Sequence, residues 1–579
     1  MTSKWVVDIE TDGLEPTVIW CIVLQNVDNK EIVKFTPHFI PRFNDWLANK
    51  NVTTLIGHNI ISYDKPVLEN LLDTDFSNIK VEDTLLLSQF IEPRREGGHS
   101  LASWGDRLGF EKGDYSDWSK YTPEMLRYCV RDVEITTKVY EHLEVKEEEQ
   151  EALKLEYKIK EMCSEQERYG WYFDEVKAVK LLQHIQQDIR DVEEEVRQVF
   201  RPLKTFKELN ILDNYYLKGT KTPTKAYQGQ LDKGAFLNDE FEWGYWDYPE
   251  FNLGSRQQIA RYLQHYGWKP AEFTEKGRVK VDESVLAGVD IPQAQLIKRY
   301  LMLQKRDSML RSWIENVNPK TNSIHGRVHT IGTITHRMSS SNPNMQQVTA
   351  SGKEYGKEMR ELFIVHKDKV LVGADLSGLE LRCLAHYMNS NKYTQKLVEE
   401  DIHVVNQKAA GLNTRNEAKT FIYAFIYGGG DELVGKIVGG GKSKGRSIKD
   451  KFLKSIPPLK ALLEAVRVAS KRGHLKALDG RHIEIRSEHS ALNFLLQSAG
   501  AIIAKRAWAI FDDKAKALGL EYHQLGLIHD EAQIECAPED ADTIGNLLVE
   551  SMEATTEYYN MNCPITGEYK VGNSWAETH

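Results

Sequence analysis

Six cysteines in 579 residues are too few and too scattered for a covalent framework. Cys21, Cys129, Cys163, Cys383, Cys536 and Cys563 form no C-x-x-C pair, so neither a zinc site nor a disulfide scaffold is expected. A reducing intracellular compartment is the simple inference. Also missing are an apolar run long enough to span a bilayer and a basic-then-apolar leader, since Met1 to Trp5 leads straight into a strand; no membrane role is expected. No internal repeat stands out. Positive charge is not in excess either. The net charge of −10 argues weakly against a nucleic-acid partner if only the total counts. Segregation matters more: residues 436–454 carry Lys436, Lys442, Lys444, Arg446, Lys449, Lys451 and Lys454 against Asp450, and residues 298–311 carry Lys298, Arg299, Lys305, Arg306 and Arg311 against Asp307. Each run alone reads as a solvated helix face.

The length predicts several domains, roughly four at about 150 residues each, and 41% hydrophobic with 28% charged residues fits a globular chain. Residues 1–145 alternate strand-like and helical stretches, as in an α/β domain. Trp5-Val6-Val7-Asp8-Ile9-Glu10, Trp20-Cys21-Ile22-Val23-Leu24 and Leu55-Ile56-Gly57 read as strands; Thr122 caps and Pro123 opens a long helix. Helical periodicity covers 146–200 and returns at 255–315. Between them, 201–252 mixes Lys, Gly, Thr, Pro and aromatics (Trp243, Tyr245, Trp246, Tyr248) and reads as an irregular insertion with its rings buried. From 324 onward strands and helices alternate again.

Two groups of residues carry chemistry. In the first, Asp8 and Glu10 lie two apart on a strand and share a face. Asn59 and Asp64 follow another strand, and Tyr128 and Asp132 share a face of the helix opened by Thr122. Four acids and a tyrosine suit two-metal hydrolysis, in which carboxylates hold ions and a hydroxyl orients water. Taken singly, a D-x-E strand or a Tyr-x-x-x-Asp helix is unremarkable. In the second group, His529-Asp530-Glu531 forms the tip of a hairpin between Leu525-Gly526-Leu527-Ile528 and Ala532-Gln533-Ile534, and Asp375 follows Val370-Leu371-Val372-Gly373-Ala374. Acids from two strands can bridge metals, and adjacent acids cost stability unless a cation sits between them. Thr414-Arg415-Asn416-Glu417 is a capping box opening a helix that stops at Gly428-Gly429-Gly430; it aligns Arg415, Lys419, Tyr423 and Tyr427, a stripe able to meet a triphosphate and a base.

In order, the first group resembles the three motifs of the 3′→5′ proofreading exonucleases of the DnaQ-like, ribonuclease-H-like fold. Asp375-Leu376-Ser377-Gly378-Leu379-Glu380-Leu381-Arg382, the Arg-Lys-Tyr-Tyr helix and His529-Asp530-Glu531 resemble motifs A, B and C of family A DNA polymerases, the DNA polymerase I type, in particular the replicative polymerases of T-seven-type short-tailed phages. Leu495-Leu496-Gln497-Ser498-Ala499-Gly500-Ala501 is a further family phrase, and the likeness covers nearly the whole chain except about 201–252.

The resemblance implies an α/β plus α+β multidomain fold: a ribonuclease-H-like 3′→5′ exonuclease domain at 1–145, thumb and connecting helices at 146–325, palm at 326–400 and 480–579, and fingers at 401–479. It implies a template-directed DNA polymerase with two Mg²⁺ per active site, Mn²⁺ being able to substitute. Asp8, Glu10, Asp64 and Asp132 would hold exonuclease metals and Tyr128 would position water. Asp375 and Asp530 would hold polymerase metals with Glu531 nearby. Arg415, Lys419 and His403 would grip the triphosphate, Glu380 would crowd the sugar 2′ position, Tyr423 would sit beside the 3′ position and Tyr427 near the templating base. Arg337, Gln497 and His529 would touch the primer–template. Implied partners are primer–template DNA and dNTPs, with phage helicase-primase and single-strand-binding protein as candidates. The segment 201–252 is shorter than the thumb insertion of thioredoxin-recruiting relatives, which puts host thioredoxin in doubt. A monomer in the cytoplasm of an infected bacterium is the implied setting. A single-subunit RNA polymerase shares the palm chemistry, but Glu380 and the exonuclease acids argue against it; a non-catalytic DNA-binding protein should have lost some carboxylates.

Overall fold

The β-branched residues at the start of the chain build its first sheet. β1 (Ser3–Thr11) pairs antiparallel with β2 (Ile19–Asn26), which pairs with β3 (Ile32–Phe35); on its other side β1 runs parallel to β4 (Val52–Gly57), and β4 to β5 (Lys80–Asp83). Trp5, Val7 and Ile9 enter one hydrophobic cluster, while Val6 enters another with Cys129 and Val133. The two-residue period therefore puts Asp8 and Glu10 on the Val6 face, under the helix α2 (Pro123–His142). That helix starts where the sequence predicts: the Thr122 side chain accepts from the Met125 amide, with Pro123 at the first position. The helix α1 (Asp64–Leu72) follows β4.

This computed structural model describes residues 3–274, 276–282, 285–286, 288–289 and 291–579. The chain divides into two units, one made of Met1–Asp174 and Asn316–His579, the other of Glu175–Glu315. In the second unit the helices Glu175–Val199 and Pro292–Glu315 carry buried Ile185, Ile189, Val192, Leu303, Leu310 and Trp313. The predicted helix over 255–315 is broken: Arg256–His265 is helical, the described residues at 273 and 279 form an isolated bridge, and residues 275, 283, 284, 287 and 290 lie outside the described set. The expected irregular insertion at 201–252 proves partly ordered. It holds a three-stranded sheet of Thr205–Glu208, Trp243–Asp247 and Phe236–Leu237, plus the helix Lys225–Leu231. Its aromatics are not all buried either, since Trp246 is 43% and Tyr248 59% exposed. The basic run at 298–311 lies on a helix but is not wholly the expected solvated face: Arg299 pairs with Asp188 and Arg311 with Asp307, while Arg306 is buried.

In the larger unit a second sheet is antiparallel throughout, in the order β7 (Tyr522–Ile528), β8 (Glu531–Cys536), β6 (Val370–Leu376), β9 (Gly567–Gly572). The helices Leu379–Met388, Arg415–Ile426 and Ala541–Tyr558 and the long helix Ala491–Ala517 share one hydrophobic core with it. One apolar run is long enough for a membrane, contrary to expectation. The stretch Glu488–Ala517 is long and apolar enough to cross a membrane, but 78% of its apolar window is buried inside the protein, as a core helix requires.

α3 (Gln150–Tyr169), expected with the following helices, belongs instead to the larger unit, where it carries a buried charge cluster. Lys505 Nζ donates to both Glu156 oxygens at 2.7 and 2.9 Å and to the Thr330 carbonyl at 2.8 Å. Arg481 adds a contact to Glu156 and pairs with Asp479. Burial would raise the Glu156 carboxyl, but Lys505 and Arg481 outweigh it and hold it below its usual range. Removing the Glu156 charge leaves Lys505 buried without a counter-charge and Arg481 with Asp479 alone, so Glu156→Gln is expected to lose about 3–5 kcal/mol. Chemical denaturation at pH 7 measures it; a loss within experimental error would mean that the cluster is solvated.

Candidate active sites

Four acids converge above β1. Asp64 is the first residue of α1, and its Oδ1 accepts from the Ile9 amide at 3.2 Å, which ties it to the backbone between Asp8 and Glu10. Asp132 comes from α2, one turn beyond Tyr128. One ligand atom each of Asp8, Glu10 and the Cys129 thiol lies within 4.8 Å of the others, and Cys129 Sγ donates to Asp8 Oδ2 at 3.4 Å. Crowding shows in the acids' chemistry. Burial, then Glu10, Asp132 and Asp64, pushes the Asp8 carboxyl well above its usual range. Burial and Asp132 push Glu10 up to about 8, and burial pushes Asp64 up to about 7. Asp132 Oδ1 is buried without a hydrogen-bond partner. An orphaned carboxylate oxygen facing three more acids fits a divalent cation.

Two neighbours of this pocket had no sequence signal. Lys112, in the loop before α2, pairs with Asp132 Oδ2 at 2.6 Å and lies 4.8 Å from the Tyr128 ring centre. Its loop has no periodicity from which a position could be read. Cys129 was countable, but nothing in its spacing pointed it at Asp8. The Asn59 backbone takes positive φ, and its amide donates to Asp83, a buried acid that also caps the following helix. Asn59 therefore shapes the turn.

The second pocket forms where β6 meets the hairpin β7–β8. Register puts Asp375 opposite Glu531, and the Leu376 amide donates to the Asp530 carbonyl at 3.1 Å. His529 takes a positive φ of 57° in the two-residue turn and turns Asp530 back toward β6. Asp375 is exposed to the pocket mouth, but partial loss of water, then Asp530 and Glu531, pushes its carboxyl up to about 7; burial also raises the half-buried Asp530. Glu531 differs from its neighbour. Burial would raise it, but donors outweigh this: His579 Nδ1 at 2.7 Å, Gln533 Nε2 and Trp575 Nε1 at 2.5 Å. The expected crowding of two adjacent carboxylates is relieved because Glu531 is committed to these donors. The residues near His579 that hold it escaped the sequence reading.

Around this pocket stand the other predicted residues. The capping box at Thr414 and Glu417 forms, and the helix Arg415–Ile426 buries Phe421, Ile422, Phe425 and Ile426 while Lys419 stays exposed. Tyr423 and Tyr427 have ring centres 6.3 Å apart, as do His403 and Tyr423. Arg415 Nε donates to Asp401 at 2.6 Å. Glu380 accepts from Tyr427 Oη at 2.8 and 3.0 Å and from Arg337 at 2.9 Å. Gln497 Oε1 accepts from Thr335 Oγ1 at 3.3 Å. Arg337, Glu380, His529 and Asp530 line one narrow cleft. The lysines of 436–454 lie mostly on the helix Lys442–Ser455, whose Ile448 and Phe452 are buried.

The model of DNA polymerase family A matches residues 240–577. The chain belongs to this family. It is 32% identical to the DNA-directed DNA polymerase of Enterobacteria phage T3 over 99% of this chain and 100% of that one, and 32% identical to that of Escherichia phage T7 over the same shares. The family A fold extends to a solved structure, the POL domain of Pol1 from M. smegmatis in complex with DNA primer-template and dNTP; it matches with a TM-score of 0.75 at 17% identity, over 100% of this chain and 96% of that one. This family A chain is thus a DNA-directed DNA polymerase related to those of T7-type phages.

The raised carboxyls have a pH consequence. An acid whose folded value lies above its unfolded one holds an extra proton when folded, so the contribution of these acids to metal-free stability falls as pH rises from about 4 through the values near 7 and 8 given by Asp375, Asp64 and Glu10. Calorimetry in EDTA is expected to show the melting temperature of the parent falling, relative to a variant carrying Asp64→Asn and Asp375→Asn, between pH 5 and pH 8. Added Mn²⁺ is expected to raise it more at pH 8 than at pH 5; equal rises at both would contradict proton–metal competition.

Proposed function

We propose that this polymerase is template-directed and proofreads, with a two-metal polymerase pocket at Asp375 and Asp530 and a two-metal 3′→5′ exonuclease pocket at Asp8, Glu10, Asp64 and Asp132. The observation that carries the reading is the pair of acid clusters, each built from separate elements and each holding carboxyls pushed up by loss of water and by one another's charge. Residues 1–145 serve as the ribonuclease-H-like nuclease domain, 326–400 with 480–579 as palm and 401–479 as fingers, while the thumb lies within Glu175–Glu315.

Two Mg²⁺ ions per pocket, replaceable by Mn²⁺, supply a lowered pKa for the attacking oxygen and neutralise charge at the phosphate. The chain's own groups do the positioning. Tyr128, one turn before Asp132, orients the water of the nuclease. Lys419, Arg415 and His403 on neighbouring helices meet the triphosphate, Arg415 leaving Asp401 to do so. Glu380, held by Tyr427 and Arg337, closes the space at the sugar 2′ position, and Tyr423 lies beside the 3′ position. Arg337, Gln497 and His529 contact the primer–template; Glu531 supports Asp375 from its fixed position. The solved relative carries DNA primer-template and dNTP, and these are the proposed substrates here. The setting is phage replication by a monomer in the cytoplasm of an infected bacterium, with phage helicase-primase and single-strand-binding protein as candidate partners.

Separate loss of the two activities tests the reading. Asp530→Ala is expected to lower primer extension by at least about 10³-fold, the scale of losing a central electrostatic group, and to spare digestion of single strands. Asp8→Ala with Glu10→Ala is expected to do the reverse. Extension by the first variant would remove the palm assignment, and undiminished 3′ digestion by the second would remove the nuclease.

A further inference from the structure

The nuclease pocket brings a cation of its own. Among the described residues, Lys112 is the one lysine or arginine paired with any of Asp8, Glu10, Asp64 and Asp132. It is held in place. Arg131, next to Asp132 on α2, donates to the Glu111 carbonyl at 2.9 Å and lays its guanidinium 3.2 Å from the Phe110 ring centre, so the loop just before Lys112 is fastened to the helix that carries Asp132. Gly105 lets the loop press in closely: a Cβ there would meet the Phe110 carbonyl at 2.8 Å and the Lys112 amide at 3.3 Å. The Lys112 ammonium beside the Tyr128 ring and against Asp132 Oδ2 therefore sits where the fold aims it. It covers one Asp132 oxygen and leaves Oδ1, buried and unpartnered, for another cation. The polymerase pocket differs: Arg337 shares a cleft with Asp530 and acts on it at a distance but is paired with Glu380, and among the described residues no lysine or arginine pairs with Asp375 or Asp530.

We propose that Lys112 is a tethered competitor for the divalent ion at Asp132. A metal ion takes full hold of that carboxylate only by displacing the ammonium, so the nuclease pocket binds divalent ions more weakly than its four acids alone dictate. The inference rests on the nuclease reading above. It makes proofreading demand a higher metal concentration than synthesis, a threshold set by one side chain.

Direct metal binding tests it. The full chain carrying Asp375→Asn and Asp530→Asn, which empties the polymerase pocket of its ligands, is titrated with Mn²⁺ while the free ion is followed by electron paramagnetic resonance. Lys112→Met, which keeps the apolar stem, is expected to bind Mn²⁺ about fivefold more tightly, the upper size of one partly exposed ion pair. Lys112→Arg, which keeps the charge, is expected to stay within about twofold of the parent, on the same scale. Unchanged or weaker binding by Lys112→Met overturns the proposal. Adding Asp8→Ala and Glu10→Ala to the parent separates the two readings: binding that vanishes locates the ions among the nuclease acids, whereas binding that persists removes the nuclease reading itself.

Discussion

Like charges forced together in a poorly solvated place are the constraint from which the rest of this molecule takes its shape. Two sheets of different design each end in such a place. In the mixed sheet the central strand β1 supplies Asp8 and Glu10 from one face, and two helices close over them with Asp64 and Asp132. In the antiparallel sheet a single register pair and a two-residue turn bring Asp375 and Asp530 together. Neither cluster ionises as easily as carboxylates in open water: burial opposes charge among the nuclease acids, and at exposed Asp375 the neighbouring Asp530 and Glu531 add to partial loss of water. The fold thus stores a demand for cations at both sites, and rigid strands keep the demand in place.

The same chain shows what buried charge looks like when it is only structural. The side chains of Glu156, Lys505, Arg481 and Asp479 are more deeply buried than Asp375 or Asp530, yet their charges balance and the Glu156 carboxyl lies below its usual range. Glu531 belongs to this second kind despite its place in the sequence. Its oxygens are taken by Trp575, Gln533 and His579, whereas Asp375 directly opposite has no such side-chain donor among the described residues and is pushed up. Between adjacent carboxylates, the balance of donors decides which is a scaffold and which is free to meet a cation.

How much could be read before the fold was seen follows from the range of each signal. Asp8 with Glu10, Thr122 with Pro123, and Thr414 with Glu417 are local patterns governed by strand period and helix capping, and all three took the expected form. The convergence of Asp64 and Asp132 on β1 came through the ordered likeness to known motifs, since nothing in spacing alone joins residues so far apart. Lys112 and the donors around His579 escaped because they act through tertiary placement of irregular segments. The sheet within 201–252 escaped for a related reason. Its strands are two to five residues long, too short for alternation to rise above the mixed composition.

The residues proposed to meet the nucleotide also hold one another at rest. Arg415 leans on Asp401, and Tyr427 with Arg337 grips Glu380. These contacts differ in how readily they yield. Arg415 and Asp401 are well exposed, and an ion pair in water is easily exchanged for the denser charge of a triphosphate. Glu380 is far less exposed and accepts from two sides, so it keeps its position when a sugar arrives. On the proposed reading, a cation that yields beside a fixed carboxylate divides the work: the first would follow the incoming charge, and the second would fix the shape that the sugar must fit. Binding energy is then spent mainly on the phosphate, where it is needed to align the reacting oxygen, and little of it on ordering the wall of the pocket.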